Sequence, residues 1–232
     1  MKPNPDPTAD PAPNFDRLAG PYRWLEYLSF GPFLWRCRVH FLPQLGRCHN
    51  ALILGDGDGR FTAKLLRSNA QVAVHAVDLS PTMIQTVERA AKAHSSRLTT
   101  EIADLRAWSP SLPSRYDLIV SHFSLDCLTS GEVAGVAKRI AASAAPGAFW
   151  VVSDFAVPRT RFGAWIARPL VSLLYLAFHG LTGLRIRALP DYAQALADAG
   201  WSLQCEHLWL NGLLVSQLWQ RPGATGGHAE LE

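Results

Sequence analysis

Apolar residues in this chain follow two rhythms, and the alternation between them predicts the elements. Compact apolar runs at Ala51–Leu54, in the stretch ending at Asp78, around Thr99–Ala103, over Tyr116–Phe123 and within APGAFWVVSDF read as strands buried on both faces. Between them apolar positions recur every three or four residues, the period of a helix with one buried face. Phe61, Leu65 and Leu66 mark a helix over Arg60–Arg67, and Ile84, Val87 and Ala91 mark one from Pro81 to about His94. Val133, Val136, Ala137, Ile140 and Ala141 mark a third, opened by the Thr129/Glu132 capping box. DYAQALADAG is a short helix that ends at Gly200. WSLQCEHLWL and LLVSQLWQ then alternate as the two strands of a hairpin joined by Asn211-Gly212. Strand, helix and strand in succession build right-handed parallel units, so the fold class is α/β.

Both flanks of this pattern differ from it. Asn14 to Pro43 is helical and aromatic, with Tyr22, Trp24, Tyr27, Phe30, Phe33, Trp35 and Phe41, and Gly31-Pro32 separates two predicted helices. These helices form a cap over 14–48 that either packs its rings on the domain or also closes over a ligand. Residues 1–13 are proline-rich without the apolar core of a signal peptide, and 221–232 are polar and contain glycine, so both ends read as disordered. The domain proper is 14–220. Within it 156–190 is an inserted helical segment with five arginines and no carboxylate, broken by Pro169. Such a stretch either lies on an anionic membrane surface, forms a lid over a greasy ligand, or is buried against the core.

Composition narrows the function classes. The 232 residues are 48% hydrophobic and 18% charged, ordinary for one globular domain, and the net charge of +3 gives no footprint for nucleic acid. Cys37, Cys48, Cys127 and Cys205 stand far apart without metal-ligand spacing, which predicts reduced thiols, no zinc and a cytoplasmic protein. No run of 18 apolar residues predicts a transmembrane helix.

The chemistry begins at ALILGDGDGR. Gly55, Gly57 and Gly59 follow a buried strand and allow a tight turn in which backbone approaches a ligand. A dinucleotide fingerprint needs G-x-G-x-x-G, and Arg60 stands where its third glycine belongs. An NAD(P)-dependent oxidoreductase is therefore the weaker reading. Asp78 ends the second strand 19 residues beyond Gly59, where an acid accepts from ribose hydroxyls or else caps the turn before Ser80 and Pro81.

The G-x-G-x-G loop resembles motif I of the class I methyltransferases that use S-adenosylmethionine (SAM). That resemblance covers about Phe15 to Gln220 and implies a Rossmann-like, seven-stranded, mostly parallel sheet with an antiparallel C-terminal hairpin. It assigns Gly55, Asp56, Gly57 and Gly59 to the cofactor loop, and Asp78 with Leu79 to the ribose end. Asp104 would accept from the adenine amino group with Leu105 beside the ring, and Ser121 would line the cofactor at the end of the fourth strand. FDRLAGPYRWLEYLSFG is similar to the segment before motif I in ubiquinone and menaquinone C-methyltransferases through Phe15, Asp16, Ala19, Tyr22, Leu28, Ser29 and Gly31, although Arg23 and Glu26 depart from that pattern. Tyr22 then belongs to the pocket or the cofactor carboxylate. Relatives carry an acid two residues before the first glycine. Here Ile53 stands there, and either Asp56 or Asp58 would serve the cofactor's ammonium instead.

The implied reaction is methyl transfer from SAM to an apolar or aromatic small molecule of quinone-, lipid- or natural-product-like kind. His122, after the fourth strand, is the candidate general base, its alternative being a structural histidine. A non-catalytic SAM-binding or membrane-associated relative would keep this fold.

Overall fold

The structure, a computed structural model, describes residues 30–111, 115–158 and 189–223. Tyr22, the first half of the cap, both terminal segments and nearly all of the 156–190 insertion lie outside the described residues.

Seven strands form one sheet in the order β3-β2-β1-β4-β5-β7-β6. They are β1 (Asn50–Leu54), β2 (Ala73–Asp78), β3 (Leu98–Ile102), β4 (Tyr116–His122), β5 (Ala144–Phe155), β6 (Ser202–Trp209) and β7 (Leu214–Gln220). The first five are parallel, and β7 runs antiparallel between β5 and β6. The helices are α1 (Phe33–Val39), α2 (Arg60–Ser68), α3 (Pro81–Ala90), α4 (Ser130–Ser143) and α5 (Tyr192–Asp198). This is the Rossmann-like arrangement with a terminal antiparallel pair.

Strand parity sorts the core into two layers. Leu52, Ile119, Trp150 and Val152 face α4 and α5, where Val133, Val136, Ala137, Ile140 and Leu196 meet them. Ile53, Leu118, Val120 and Val151 face the other way, against Phe61, Leu65 and Leu66 of α2 and Val87 of α3. Each such Val, Leu or Ile contributes about 1.5–3 kcal/mol through burial. Ile53, at the position two residues before the first glycine, is 1% exposed in this second layer.

The structure departs from the sequence pattern at five places. The helix after β2 ends at Ala90, not His94, and a 3-10 turn, Lys92–Arg97, follows. Arg97 draws the chain round there, donating to the carbonyls of Leu66, Asn69 and Val72 at 2.7–3.0 Å. β4 stops at His122, because Phe123 takes φ +52° while its N–H still donates to Ser153 O at 2.8 Å. β5 begins at Ala144, earlier than the APG turn suggested. The hairpin pairs Trp209 with Leu214, so four residues connect the strands rather than two, with Leu210, Asn211 and Gly212 all at positive φ. Finally, β7 is buried at all but its last residue because strands flank it on both sides, whereas the edge strand β6 is exposed over most of its length.

The cap is pinned to the middle of the sheet. Cys37 O of α1 accepts from Ser153 Oγ at 3.1 Å and Ser216 Oγ at 2.8 Å, and its thiol donates to Val215 O at 3.3 Å. No helix among the described residues is long and apolar enough to cross a membrane.

Candidate functional site

Parallel strands deliver their carboxyl ends to one edge, and the predicted residues collect there. β1 passes into Gly55, whose N–H donates to Val77 O at 2.9 Å. Gly55, Gly57 and Gly59 have φ of +67°, +65° and +72°, the left-handed region that favours glycine. Space demands glycine as well. A Cβ at Gly59 would stand 2.6 Å from Val87 Cα, and one at Gly55 would stand 3.0 Å from Ser124 Cβ in the turn after β4. The loop is thus wedged between α3 and that turn, with its backbone forming the edge of the site.

The two loop aspartates take different tasks. Asp58 pairs with the guanidinium of Arg60, which also lies 5.3 Å from the Trp35 ring, so this acid ties the loop to the cap. Asp56 is 5% exposed, and its Oδ2 accepts from Thr62 N at 2.9 Å near the start of α2. Its Oδ1 has no hydrogen-bond partner among the described residues. Burial pushes the Asp56 carboxyl up to about 6 against the Thr62 bonds and the charge of Arg38, which lower it.

Asp78 ends β2 and its Oδ1 accepts from Ser80 N at 2.8 Å, which fixes the turn into α3; Leu79 beside it is half-buried. Ser80 caps α3 by accepting from Met83 N at 3.1 Å. Asp104 stands in the segment after β3, bonded by Arg106 through Nε to both oxygens and through Nη2 at 2.6 Å. Burial raises this carboxyl, but the hydrogen bonds and charge of Arg106 outweigh it and hold it below the ordinary range. An adenine amino group would therefore share Asp104 with Arg106. Leu105 is half-buried there, and Ile102, 55% exposed, leaves an open apolar side chain at the same edge.

Ser121 and His122 lie on opposite faces of β4. Ser121 Oγ accepts from Trp150 Nε1 at 2.9 Å within the α4 layer. His122 points into the α2 layer, 3% exposed, its ring edge-on to Phe61 at 4.5 Å. Neither ring nitrogen has a hydrogen-bond partner among the described residues. Burial, and then the charge of Arg38, hold His122 well below 6.5, so it is a neutral imidazole. Arg38 itself is 2% exposed, with its guanidinium 5.3 Å from the Phe123 ring.

Sequence reasoning missed four residues here. Arg38 lies in the cap, where no motif marks it. Arg139 of α4, which no motif marks, donates to Trp108 O at 2.7 Å, Leu105 O at 2.6 Å and Arg106 O at 3.1 Å and so holds the Asp104 segment. Asp126 and Asp154 are buried at the ends of β4 and β5. The available signal was a carboxylate inside each of the apolar stretches SLDCL and VVSDF.

Comparison with known proteins bears on this edge. A family model described as a methyltransferase domain matches residues 51–147, from β1 into β5. A malonyl-[acyl-carrier protein] O-methyltransferase of Paenibacillus sp. (strain JDR-2) is 40% identical over 73 residues, which span 31% of this chain and 26% of that enzyme's length. Among solved structures, N-methyltransferase NodS of Bradyrhizobium japonicum WM9, in complex with S-adenosylhomocysteine, superposes with a TM-score of 0.59 at 15% identity, covering 82% of this chain and 84% of that one. An O-methyltransferase-like protein of Nostoc punctiforme gives a TM-score of 0.69 at 14% identity over 90% and 61%. Human N-acetylserotonin methyltransferase, in complex with SAM, gives 0.58 at 19% over 86% and 55%.

Proposed function

We infer that this chain is a class I SAM-dependent methyltransferase, a reading supported by its matched methyltransferase domain and its sheet order, and that it transfers a methyl group to an apolar or aromatic small molecule. The observation that carries the reading is the triple-glycine loop at the carboxyl edge of β1. A Cβ at Gly55 or Gly59 would meet its neighbours, and the loop's backbone is the surface a ligand would touch.

The residues present fit SAM. Its methionine end suits the glycine loop, where Asp56 Oδ1, without a hydrogen-bond partner among the described residues, would meet the ammonium in place of the acid absent at Ile53. Its ribose suits Asp78, whose Oδ1 is already fixed by Ser80, and its adenine suits the space between Leu79, Ile102, Asp104 and Leu105. When bound, SAM supplies an activated methyl with its own leaving group, so the protein's part is alignment and exclusion of water. The aromatic cap supports that part, with Trp35 stacked on Arg60 and Phe30 packed on Phe155 at 5.4 Å. His122, kept neutral in an apolar surround, serves as a wall of the site, or as a base if the acceptor reaches it.

Thermal melting with S-adenosylhomocysteine and, separately, NAD tests the reading. A ligand at 100 times its dissociation constant adds about 2.7 kcal/mol, which raises the midpoint by about 5–10 °C for a domain of this size. A shift with S-adenosylhomocysteine alone is expected. A shift with NAD alone, or with neither, would overturn the assignment.

A further inference from the structure

Three consecutive residues at the end of β4 each carry a cost to the fold. His122 is 3% exposed, and neither of its ring nitrogens has a hydrogen-bond partner among the described residues. Phe123 follows with φ +52°, the left-handed region that a bulky side chain seldom adopts. Ser124 comes next, and its buried Oγ also has no hydrogen-bond partner among the described residues. Unpaired buried donors and strained backbone destabilise a fold, and such costs collect where a ligand completes the site. All three residues border the glycine loop. The paired rows of β1 and β4 end with Leu54 beside Ser121, so Gly55 and His122 are the next residues on the two strands. Ser124 is wedged against the same glycine, since a Cβ at Gly55 would lie 3.0 Å from Ser124 Cβ and 3.7 Å from its Oγ.

Phe123 makes this arrangement possible. Its N–H keeps the bond to Ser153 O at 2.8 Å, its ring packs edge-on to Phe155 at 5.2 Å, and its positive φ bends the chain back toward the loop. The His122 ring stands against Phe61, the second residue of α2, directly after the loop. The chemistry of these groups selects one part of the cofactor. A neutral imidazole has one N–H and a serine hydroxyl one O–H, and both are donors toward an anion. The charge of Arg38 reaches both His122 and Asp56, so a positive potential falls on this end of the loop. With Asp56 facing the ammonium, the unmatched part of a methionine-type zwitterion is its carboxylate, which only accepts.

We propose that His122 and Ser124 are cofactor-binding residues that donate, through a ring N–H and the Oγ–H, to the α-carboxylate of SAM, with Phe123 as the positioning residue that sets the hydroxyl against Gly55. The proposal rests on the methyltransferase reading and deepens it, turning His122 toward the cofactor rather than the acceptor. Hydrogen bonds from such donors to a carboxylate are charge-assisted and stronger than those between neutral groups. Binding thereby satisfies polar groups that folding alone leaves unpaired.

Calorimetric titration of the full chain with S-adenosylhomocysteine and with its decarboxylated analogue, S-adenosyl-3-thiopropylamine, tests this without any acceptor. Wild type is expected to bind S-adenosylhomocysteine about 30-fold more tightly than the analogue. His122→Leu and Ser124→Ala should each lose about tenfold in affinity for S-adenosylhomocysteine, while affinity for the analogue stays within about threefold of wild type. His122→Asn, which keeps an N–H donor, should recover part of that loss. Melting of the same variants without ligand separates binding from folding. His122→Leu and Ser124→Ala should melt no lower than wild type, because each removes an unpaired polar group. Phe123→Gly should melt above Phe123→Ala, because glycine takes the positive φ without strain. Equal wild-type affinity for the two ligands, or a preference for S-adenosylhomocysteine that either variant keeps, would overturn the proposal. So would parallel loss of both ligands in variants that melt well below wild type, which is the mark of structural residues. Wild type that binds neither ligand would instead fail the methyltransferase reading itself, and the proposal with it.

Discussion

Asp56 shows how one buried side chain gives the site a pH response. Its carboxyl midpoint moves from 3.8 to about 6 on folding, so its stabilising contribution is complete below about pH 3.8 and is lost as pH rises through 6. Relative to Asp56→Asn, wild type is expected to lose about 3 kcal/mol between pH 4 and 8 in denaturant melts. An ammonium beside Oδ1 favours the ionised form, so affinity for S-adenosylhomocysteine should rise several-fold over the same window in wild type and stay flat in the variant. A flat wild-type profile would remove Asp56 from the cofactor site. The glycines and Asp56 were legible because turn chemistry is local. That Asp58 belongs to Arg60 and Trp35 was not, because Trp35 reaches the loop from a distant part of the chain.

Among the elements, α4 does more than cover the sheet. Its capping box is present as expected, with Thr129 N donating to Glu132 Oε2 at 2.7 Å, and its apolar stripe is buried. Its polar side carries the Arg139 bonds to the segment after β3, which has no helix or strand of its own over Ala103–Ser111. Charge-assisted bonds contribute about 1.5–3 kcal/mol each when buried, less where water competes as it does here. Arg139→Met should weaken S-adenosylhomocysteine binding about tenfold in calorimetry and cost about 1–2 kcal/mol of stability. Arg139→Lys should recover little, since an ammonium cannot reproduce the fork that spans three carbonyls. Unchanged affinity in Arg139→Met would separate this segment from the cofactor. The amphipathic stripe of α4 was plain in the sequence, whereas no periodicity marks which carbonyls an arginine will reach.

At the scale of the whole molecule, the four thiols report how tightly the layers close. Cys37 is fully buried with its thiol pushed up to about 11, mainly by burial, and Cys48 is buried and pushed up to about 12. Burial and the charge of Asp126 raise Cys127 well above 9, while Cys205 is exposed on the edge strand β6. With Ellman's reagent at pH 8, exposed Cys205 should react quickly, half-buried Cys127 more slowly, and Cys37 and Cys48 only at the rate of global opening, all four reacting at once in denaturant. Fast reaction of Cys37 or Cys48 would mean that the cap opens locally.

What the sequence determined by itself was everything written in short-range code: the order of strands and helices, the triple-glycine loop after β1, Asp78 at the end of β2, and the terminal hairpin. Those features depend on side-chain periods of two and 3.6 and on turn residues, which act within a few positions of each other. The tertiary structure alone decided which of those residues meet. Asp126 and Asp154 are separated in the chain by all of α4, and only the parallel register of β4 with β5, together with the parity that turns Asp154 toward α4 and α5, puts both acids at one edge. In the same way Asp104 is drawn to Arg106, Ser121 to Trp150, and Cys37 to Ser153 and Ser216. Pairing and burial are properties of the assembled layers, and a polar group's partner is fixed only when those layers close around it.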